Sequence, residues 1–349
     1  MRRSSGLTAM LLVTMALLIA PSAAQATLVF TRNPLHPTVF AANDDGSGAH
    51  RVGSGSNPRV SPDGQTVVFY VFGQGRQSSK LMVGPAEGGS PRVLANNWQD
   101  PFVFAWSPDS ATIAVLLGPE LGKQRLTTID VASGAQRTIT TGYFNGVSFA
   151  PEGGALVYAR SNKEFGTKSD VYRFVIPEPG TVFVRAPQPE RLTSDHRSSS
   201  PLWGPHDTIV FVRRLGEKHR QFGPKNDLFL MDSGGNRVRR LTHTKVDPLL
   251  SGLSPTAWSA SGKQLLCEFG GQDTTYAVTV NPRTGAERAL TKEREVGFVG
   301  TAISKDGRFV LGSLGGFEPG RGHKVVSIPY KGGKPKVLAN NASEGDWSR

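Results

Sequence analysis

One turn motif recurs along this chain at near-constant spacing, and that constrains the fold more than any other feature. Val60-Ser61-Pro62-Asp63-Gly64 returns as Trp106-Ser107-Pro108-Asp109-Ser110 and Phe149-Ala150-Pro151-Glu152-Gly153. It returns again as Trp203-Gly204-Pro205-His206-Asp207, Trp258-Ser259-Ala260-Ser261-Gly262 and Ile303-Ser304-Lys305-Asp306-Gly307, and a last partial copy is Trp347-Ser348-Arg349. Successive copies are 46, 43, 54, 55, 45 and 44 residues apart. A period of roughly 40–45 residues is that of a β-propeller blade. A β-sandwich has no reason to repeat one turn at constant spacing.

Each repeat continues in the same way. A β-rich run follows the turn, as in 66–72, 112–117, 209–213 and 309–314; a second follows a variable loop, as in 80–83, 126–131, 227–232 and 324–329. A Gly-rich hairpin and a short polar run close the unit, as in Arg239-Arg240-Leu241-Thr242. With the strand that enters the turn, this makes four antiparallel strands, A to D. Pro presets φ in the A–B turn, and Asp-Gly supplies the tight reversal. Residues 28–31, 38–42 and 49–53 read as strands B, C and D without an A, whereas 344–348 reads as an A without followers. The expected fold is therefore an all-β, seven-bladed β-propeller of four-stranded antiparallel blades. Pairing of its N- and C-terminal segments closes the ring and leaves no long edge unpaired.

The order W-S-P-D-G, then an I-A-F-like run, then a D-I-Y-V-M-like run, then D-G-G and R-R-L-T resembles the WD40-like propeller repeat of TolB-type proteins. The fifth repeat carries it best: Trp203-Gly204-Pro205, Ile209-Val210-Phe211, Asp227-Leu228-Phe229-Leu230-Met231 and Arg239-Arg240-Leu241-Thr242. The likeness spans residues 27–349 and implies a periplasmic envelope protein that works by binding. TolB-type proteins carry an α/β domain ahead of a six-bladed propeller, whereas strands here begin at Thr27 and seven blades are countable.

The first 26 residues read as an address. Arg2-Arg3 precede an apolar run from Leu7 to Ala20, followed by Ala24-Gln25-Ala26, the order of a secretory signal peptide cleaved after Ala26. The apolar run is too short to span a bilayer, and the remainder contains no transmembrane stretch. The expected organisation is a leader over 1–26 and a single propeller domain over 27–349, extracytoplasmic (periplasmic or secreted) and monomeric.

Little in the sequence suggests chemistry. The single cysteine, Cys267, excludes an internal disulfide and a Cys-based zinc site, and reads as a small buried residue on a strand. No H-E-x-x-H or G-x-S-x-G occurs. Asn43-Asp44-Asp45-Gly46 fits a C–D hairpin better than a calcium loop. Asp195, His196 and Ser198 lie too close in sequence to present a triad. No cofactor, metal ligand or catalytic residue is therefore assigned. The alternative is a propeller enzyme, lyase- or hydrolase-like, with a metal or histidine site at the channel mouth, as in seven-bladed pectin-fragment lyases; His196, His243 and His323 are the candidates.

Charge is more informative. The chain carries 40 Lys and Arg against 28 Asp and Glu, a formal charge of +12. In a propeller the B–C and D–A loops share one face, and the B–C segments hold a basic excess that makes this face a candidate anion-attracting surface. Long repeats place an enlarged B–C loop at 213–225 beside an enlarged D–A loop at 245–256. Long loops in compact repeats tend to carry function. The candidate binding residues are Arg213, Arg214, Lys218, Arg220, Lys225, Lys245 and Asp247. The expected partner is a protein or an anionic polymer of the cell envelope. Nucleic acid is disfavoured, because basic and aromatic residues do not interleave.

Overall fold

In the computed structural model the described residues are 27–33, 35–73, 79–97, 102–118, 122–163, 168–177, 187–216, 225–246, 250–271, 275–291, 297–315 and 322–348. Among them every regular element is a strand, and no helix is long and apolar enough to cross a membrane. The expected leader over 1–26 lies outside the described residues.

The strands gather in antiparallel groups of four. The first joins β27 (Ala342–Trp347), β1 (Thr27–Arg32), β2 (Thr38–Asn43) and β3 (His50–Ser54). The second is β4 (Ser56–Val60), β5 (Thr66–Val71), β6 (Ser79–Pro85) and β7 (Arg92–Asn97). The third is β8 (Phe102–Trp106), β9 (Thr112–Leu117), β10 (Gln124–Asp130) and the first half of β11 (Gln136–Phe149); the second half of β11 opens the fourth, with β12 (Ala155–Ser161), β13 (Ser169–Val175) and β14 (Glu190–Arg191). The fifth is β15 (Ser198–Gly204), β16 (Thr208–Leu215), β17 (Lys225–Met231) and β18 (Arg239–Arg240). The sixth is β19 (Leu250–Trp258), β20 (Leu265–Gly271), β21 (Thr275–Val280) and β22 (Glu287–Ala289), and the last is β23 (Val299–Ile303), β24 (Phe309–Leu314), β25 (Lys324–Pro329) and β26 (Lys336–Asn340).

The local chemistry of the repeat explains these boundaries. In the A–B turns Ser61, Ser107 and Ser304 hydroxyls donate to Asp63, Asp109 and Asp306 at 2.5, 2.5 and 2.7 Å. Each carboxylate also accepts the backbone N–H two residues on, at 2.9–3.0 Å. Those bonds hold the Asp306 carboxyl down at about 2, led by the Arg308 N–H. The A–B pairing of each group contains a register shift. Such bulges increase local twist, as a blade requires.

Burial alternates along the middle strands and sends neighbours to opposite sides. Val67 and Phe69 belong to a cluster shared with Val29, Val39 and Val52 of the first group, whereas Val68 and Tyr70 pack with Ile113, Val115 and Leu117 of the third. Ile209 and Phe211 pack with Val157 and Val171, whereas Val210 and Val212 pack with Leu265, Cys267 and Trp258. The last and first groups share a cluster of Leu311, Val325, Leu28, Phe30 and Trp347. The C–D hairpins tighten the same seams. A Cβ on Gly285 (φ +74°) would lie 2.0 Å from Leu241 O of the preceding group, and one on Gly46 (φ +87°) 2.2 Å from Leu338 O of the last. Only glycine fits either place.

The N- and C-terminal strands pair as expected, Leu28 opposite Trp347 and Arg32 opposite Ala342. Two carboxylates of β27 hold it to its neighbours. Glu344 Oε2 accepts from Thr31 Oγ1 of β1 at 2.6 Å and from Asn57 N of β4 at 2.7 Å, and Asp346 Oδ2 from Val60 N of β4 at 3.1 Å.

β11 runs unbroken from one group into the next, pairing with β10 up to Gly142 and with β12 from Tyr143. One sequence expectation needs correction: the enlarged loops are shorter than expected. The β16–β17 ladder continues through Arg213↔Asp227, Arg214↔Asn226 and Leu215↔Lys225, and β19 already starts at Leu250.

Trp347 is 7% exposed at the closing seam. Trp347→Ala should cost about 3–5 kcal/mol, as truncation of a buried aromatic does. Deleting residues 343–349 should cost more and promote aggregation, read by thermal unfolding and size-exclusion chromatography. A truncated chain that melts like wild type and stays monomeric would show the C-terminal strand to be dispensable.

Candidate binding face

The face formed by the B–C and D–A connections is organised by two buried carboxylates that begin strands C. Asp227, fully buried, accepts from Arg240 Nη2, from Thr242 Oγ1 at 3.2 Å and from Thr244 N at 3.1 Å, and Lys225 Nζ lies 3.6 Å away. Asp170 is its counterpart in the fourth group. It takes Arg191 Nη2 at 2.6 Å, Thr193 Oγ1 at 3.2 Å, His196 N at 2.9 Å and His196 Nδ1 at 2.8 Å. In both, the Thr hydroxyl receives a strand C N–H, and the Arg Nε donates to that Thr's carbonyl. Each carboxylate thus fastens strand D and the start of the following D–A connection to strand C. Its burial is tolerable because it is paired and fully hydrogen-bonded.

The sixth group has lost both ends of this device together. The Leu290 N–H reaches Ala277 O as Leu241 N reaches Leu228 O, which aligns Tyr276 with Asp227 and Ala289 with Arg240. The buried Thr291 hydroxyl there has no partner among the described residues.

The candidate residues fall into different environments. Arg213 Nε lies 2.6 Å from Asp195 Oδ2, and the guanidinium stands 5.3 and 4.6 Å from the Phe211 and Phe229 rings. Asp195 in turn accepts the Ser198 hydroxyl at 2.9 and 3.0 Å. Arg214 donates its backbone N–H to Arg197 O at 2.9 Å; burial pulls its guanidinium below the usual arginine range, against the opposing pull of Asp195. Arg214 Nη2 is buried without a partner among the described residues. Lys225 is mostly buried against Asp227, and Lys245 is exposed. Lys218, Arg220 and Asp247 lie outside the described residues.

Exposed bases surround this centre: Lys123, Arg125, Arg160, Lys163, Lys168 and Lys324 at B–C ends, and Arg197 in a D–A connection. Among the described residues none of these is in an ion pair at 4 Å or less. Asp170, Asp195 and Asp227, by contrast, are all held internally.

Ser198 bonds to Asp195 while His196 bonds to Asp170, so the three neighbours in sequence do not assemble a nucleophile and base. Cys267 is buried, and burial first, then Glu287, pushes its thiol well up. Sequence reading missed Asp170, Asp195, Asp227, Arg191 and Arg240 as site residues. The signal for the two anchors was present: an Asp before the strand C run together with Arg-Leu-Thr in strand D, twice over.

No family model matches the sequence, and no curated protein matches it either. Among solved structures, the chain is similar to TolB from Acinetobacter baumannii at 16% identity, covering 94% of this chain and 68% of that one, with a TM-score of 0.57. It is similar to the β-propeller domain of the Trilobed protease from Pyrococcus furiosus at 13% identity, covering 91% and 95%, with a TM-score of 0.61. It is also similar to an oligogalacturonate lyase in complex with manganese at 15% identity, covering 90% and 84%, with a TM-score of 0.56. The protein is thus a β-propeller, and its fold is TolB-like. The Pyrococcus domain is described as having an open velcro topology, whereas here β27 pairs with β1.

Two predictions follow from these side chains. Asp227→Ala leaves Arg240 and Lys225 without their shared counter-charge and should cost about 3–5 kcal/mol in chemical denaturation. Asp227→Ala with Arg240→Ala should cost less than the sum of the single changes. Glu268 on β20 has its carboxyl raised by burial. A folded value above the unfolded one makes the charged form a burden above the unfolded range, relieved as the group protonates. Glu268→Gln should therefore melt higher than wild type at pH 7, and the gap should close below about pH 4. An equal gap at both pH values would contradict it.

Proposed function

We propose that this chain is an extracytoplasmic, seven-bladed TolB-like propeller that acts by binding, with each four-stranded group one blade and residues 1–26 a leader removed after Ala26. It recognises a protein or anionic polymer of the cell envelope through the face of its B–C and D–A connections. One observation carries this reading. Among the described residues, Asp170, Asp195 and Asp227 are held in internal pairs, whereas Lys163, Lys168, Arg197, Lys245 and their neighbours stand exposed and outside any ion pair. A field of one sign steers an oppositely charged partner and makes its association salt-dependent. Arg213 and Lys225 act here as supports, since both are committed to Asp195 and Asp227. The test is capture from envelope extract by wild type and by a variant with Lys163→Glu, Lys168→Glu and Lys245→Glu, all exposed positions. A partner retained by wild type, released by salt and missed by the variant supports the face; identical capture by both forms overturns it.

A second reading has one specific observation behind it. His196 Nδ1 lies 2.8 Å from Asp170 on an imidazole whose side chain is 57% exposed, a geometry in which a carboxylate orients a histidine for proton transfer. This favours a propeller enzyme with a histidine or metal site at the channel mouth. Stoichiometric metal in the purified protein, lost in His196→Ala, would support it over the binding reading; its absence would leave binding as the better account.

A further inference from the structure

The opposite face, formed by the A–B turns and C–D hairpins, carries a pocket of about 590 Å³ between the fifth and sixth groups. His206 and Arg239 enter it from the fifth group, Lys263 and Arg283 from the sixth, and Trp258 and Pro282 supply apolar wall. Among the described residues no carboxylate lines it.

The position in the repeat shows that this charge is not a by-product of the architecture. At the third place of the A–B turn Asp63, Asp109 and Asp306 supply carboxylate acceptors. At the two turns that border the pocket the same places hold His206 and Ser261. Ser261 accepts neutrally, with its hydroxyl 3.2 Å from that of Ser259, and the His206 Nε2 lies 3.3 Å from Ser261 O. The C–D hairpin shows the same exchange. Asp130 and Asp232 accept the hairpin N–H groups in the third and fifth groups, whereas Asn281 does so in the sixth, from Arg283 and Thr284 at 2.9 and 3.1 Å. The nearby acids Asp207 and Asp232 are turned to Ser233 N and Arg237 and do not line the pocket.

The corresponding groove around the second group provides an internal comparison. It is larger, about 1060 Å³, and holds Asp63, Glu87 and Asp130 beside Arg92 and His50. Arg92 and Arg239 both reach the next group's hairpin carbonyls, so that contact belongs to the repeat. Lys263 and Arg283 do not share it, and both are exposed.

We propose that this pocket binds a compact ligand carrying two or more anionic groups, carboxylate or phosphate, held between Lys263 and Arg283 on one side and Arg239 and His206 on the other. Arginine forks suit both anions, and lysine adds a point charge. The pocket lies on the face opposite to the proposed partner surface and does not depend on it.

Isothermal titration at low salt tests this with citrate as the carboxylate source, pyrophosphate as the phosphate source and glucose as a neutral control. Wild type should bind citrate or pyrophosphate saturably, with one site per chain and no response to glucose. Lys263→Glu with Arg283→Glu should weaken that binding at least tenfold at an unchanged melting temperature, and Lys163→Glu with Lys168→Glu on the other face should leave it intact. Lys263→Gln with Arg283→Gln replaces the reversal variant should that one fail to fold. No saturable binding of either anion, or equal affinity after the charges are removed, would overturn the proposal.

Discussion

Each sheet in this protein is apolar on both faces, and that requirement governs the rest of the structure. A strand such as Thr66–Val71 gives Val67 and Phe69 to one seam and Val68 and Tyr70 to the next, so no sheet is satisfied until it has a neighbour on either side. A linear stack would leave two faces wet and two seams incomplete. The cluster that joins Leu311 and Val325 to Leu28 and Phe30 completes the last of them, and the pairing of β27 with β1 fixes the register at which the ring closes. Glycine at the hairpin tips lets the sheets approach within backbone contact, and Glu344 and Asp346 tie the C-terminal strand to β4 of the second group.

Once the apolar surface is assigned to the seams, charge is left to the two ends of the strands, and the two ends use it differently. At the B–C and D–A end Asp170 and Asp227 are drawn inward to bind the arginines and threonines of strand D, which leaves exposed lysines and arginines outside. At the A–B and C–D end the place held by a carboxylate in some turns is taken by serine, asparagine or histidine in others. The backbone folds the same way with each, so the local sign of the field is free to vary from sheet to sheet.

The turn, its spacing and the terminal half-repeats were legible because they rest on short-range rules: proline at a fixed φ, an acceptor for the turn N–H groups, alternation along strands. What escaped depended on contacts across the repeat. Asp227 and Arg240 lie 13 residues apart. Lys225, placed in a basic loop, reads as solvated until the ladder shows that it belongs to the same strand as Asp227. Arg213 looked like loop surface for the same reason, although it stacks on two phenylalanines. The basic pocket of the other face was visible in principle, as the loss of the turn acid at His206 and Ser261, but only once the two turns were known to be neighbours.

Native-state hydrogen exchange of the β1 and β27 amides tests ring closure most directly. If closure completes the core, Leu28, Val29 and Trp347 should exchange only through the global opening that also releases the interior of β20 and β24, with the same free energy. Exchange of these terminal strands by a separate, much cheaper opening, while the interior strands remain protected, would contradict the closed ring.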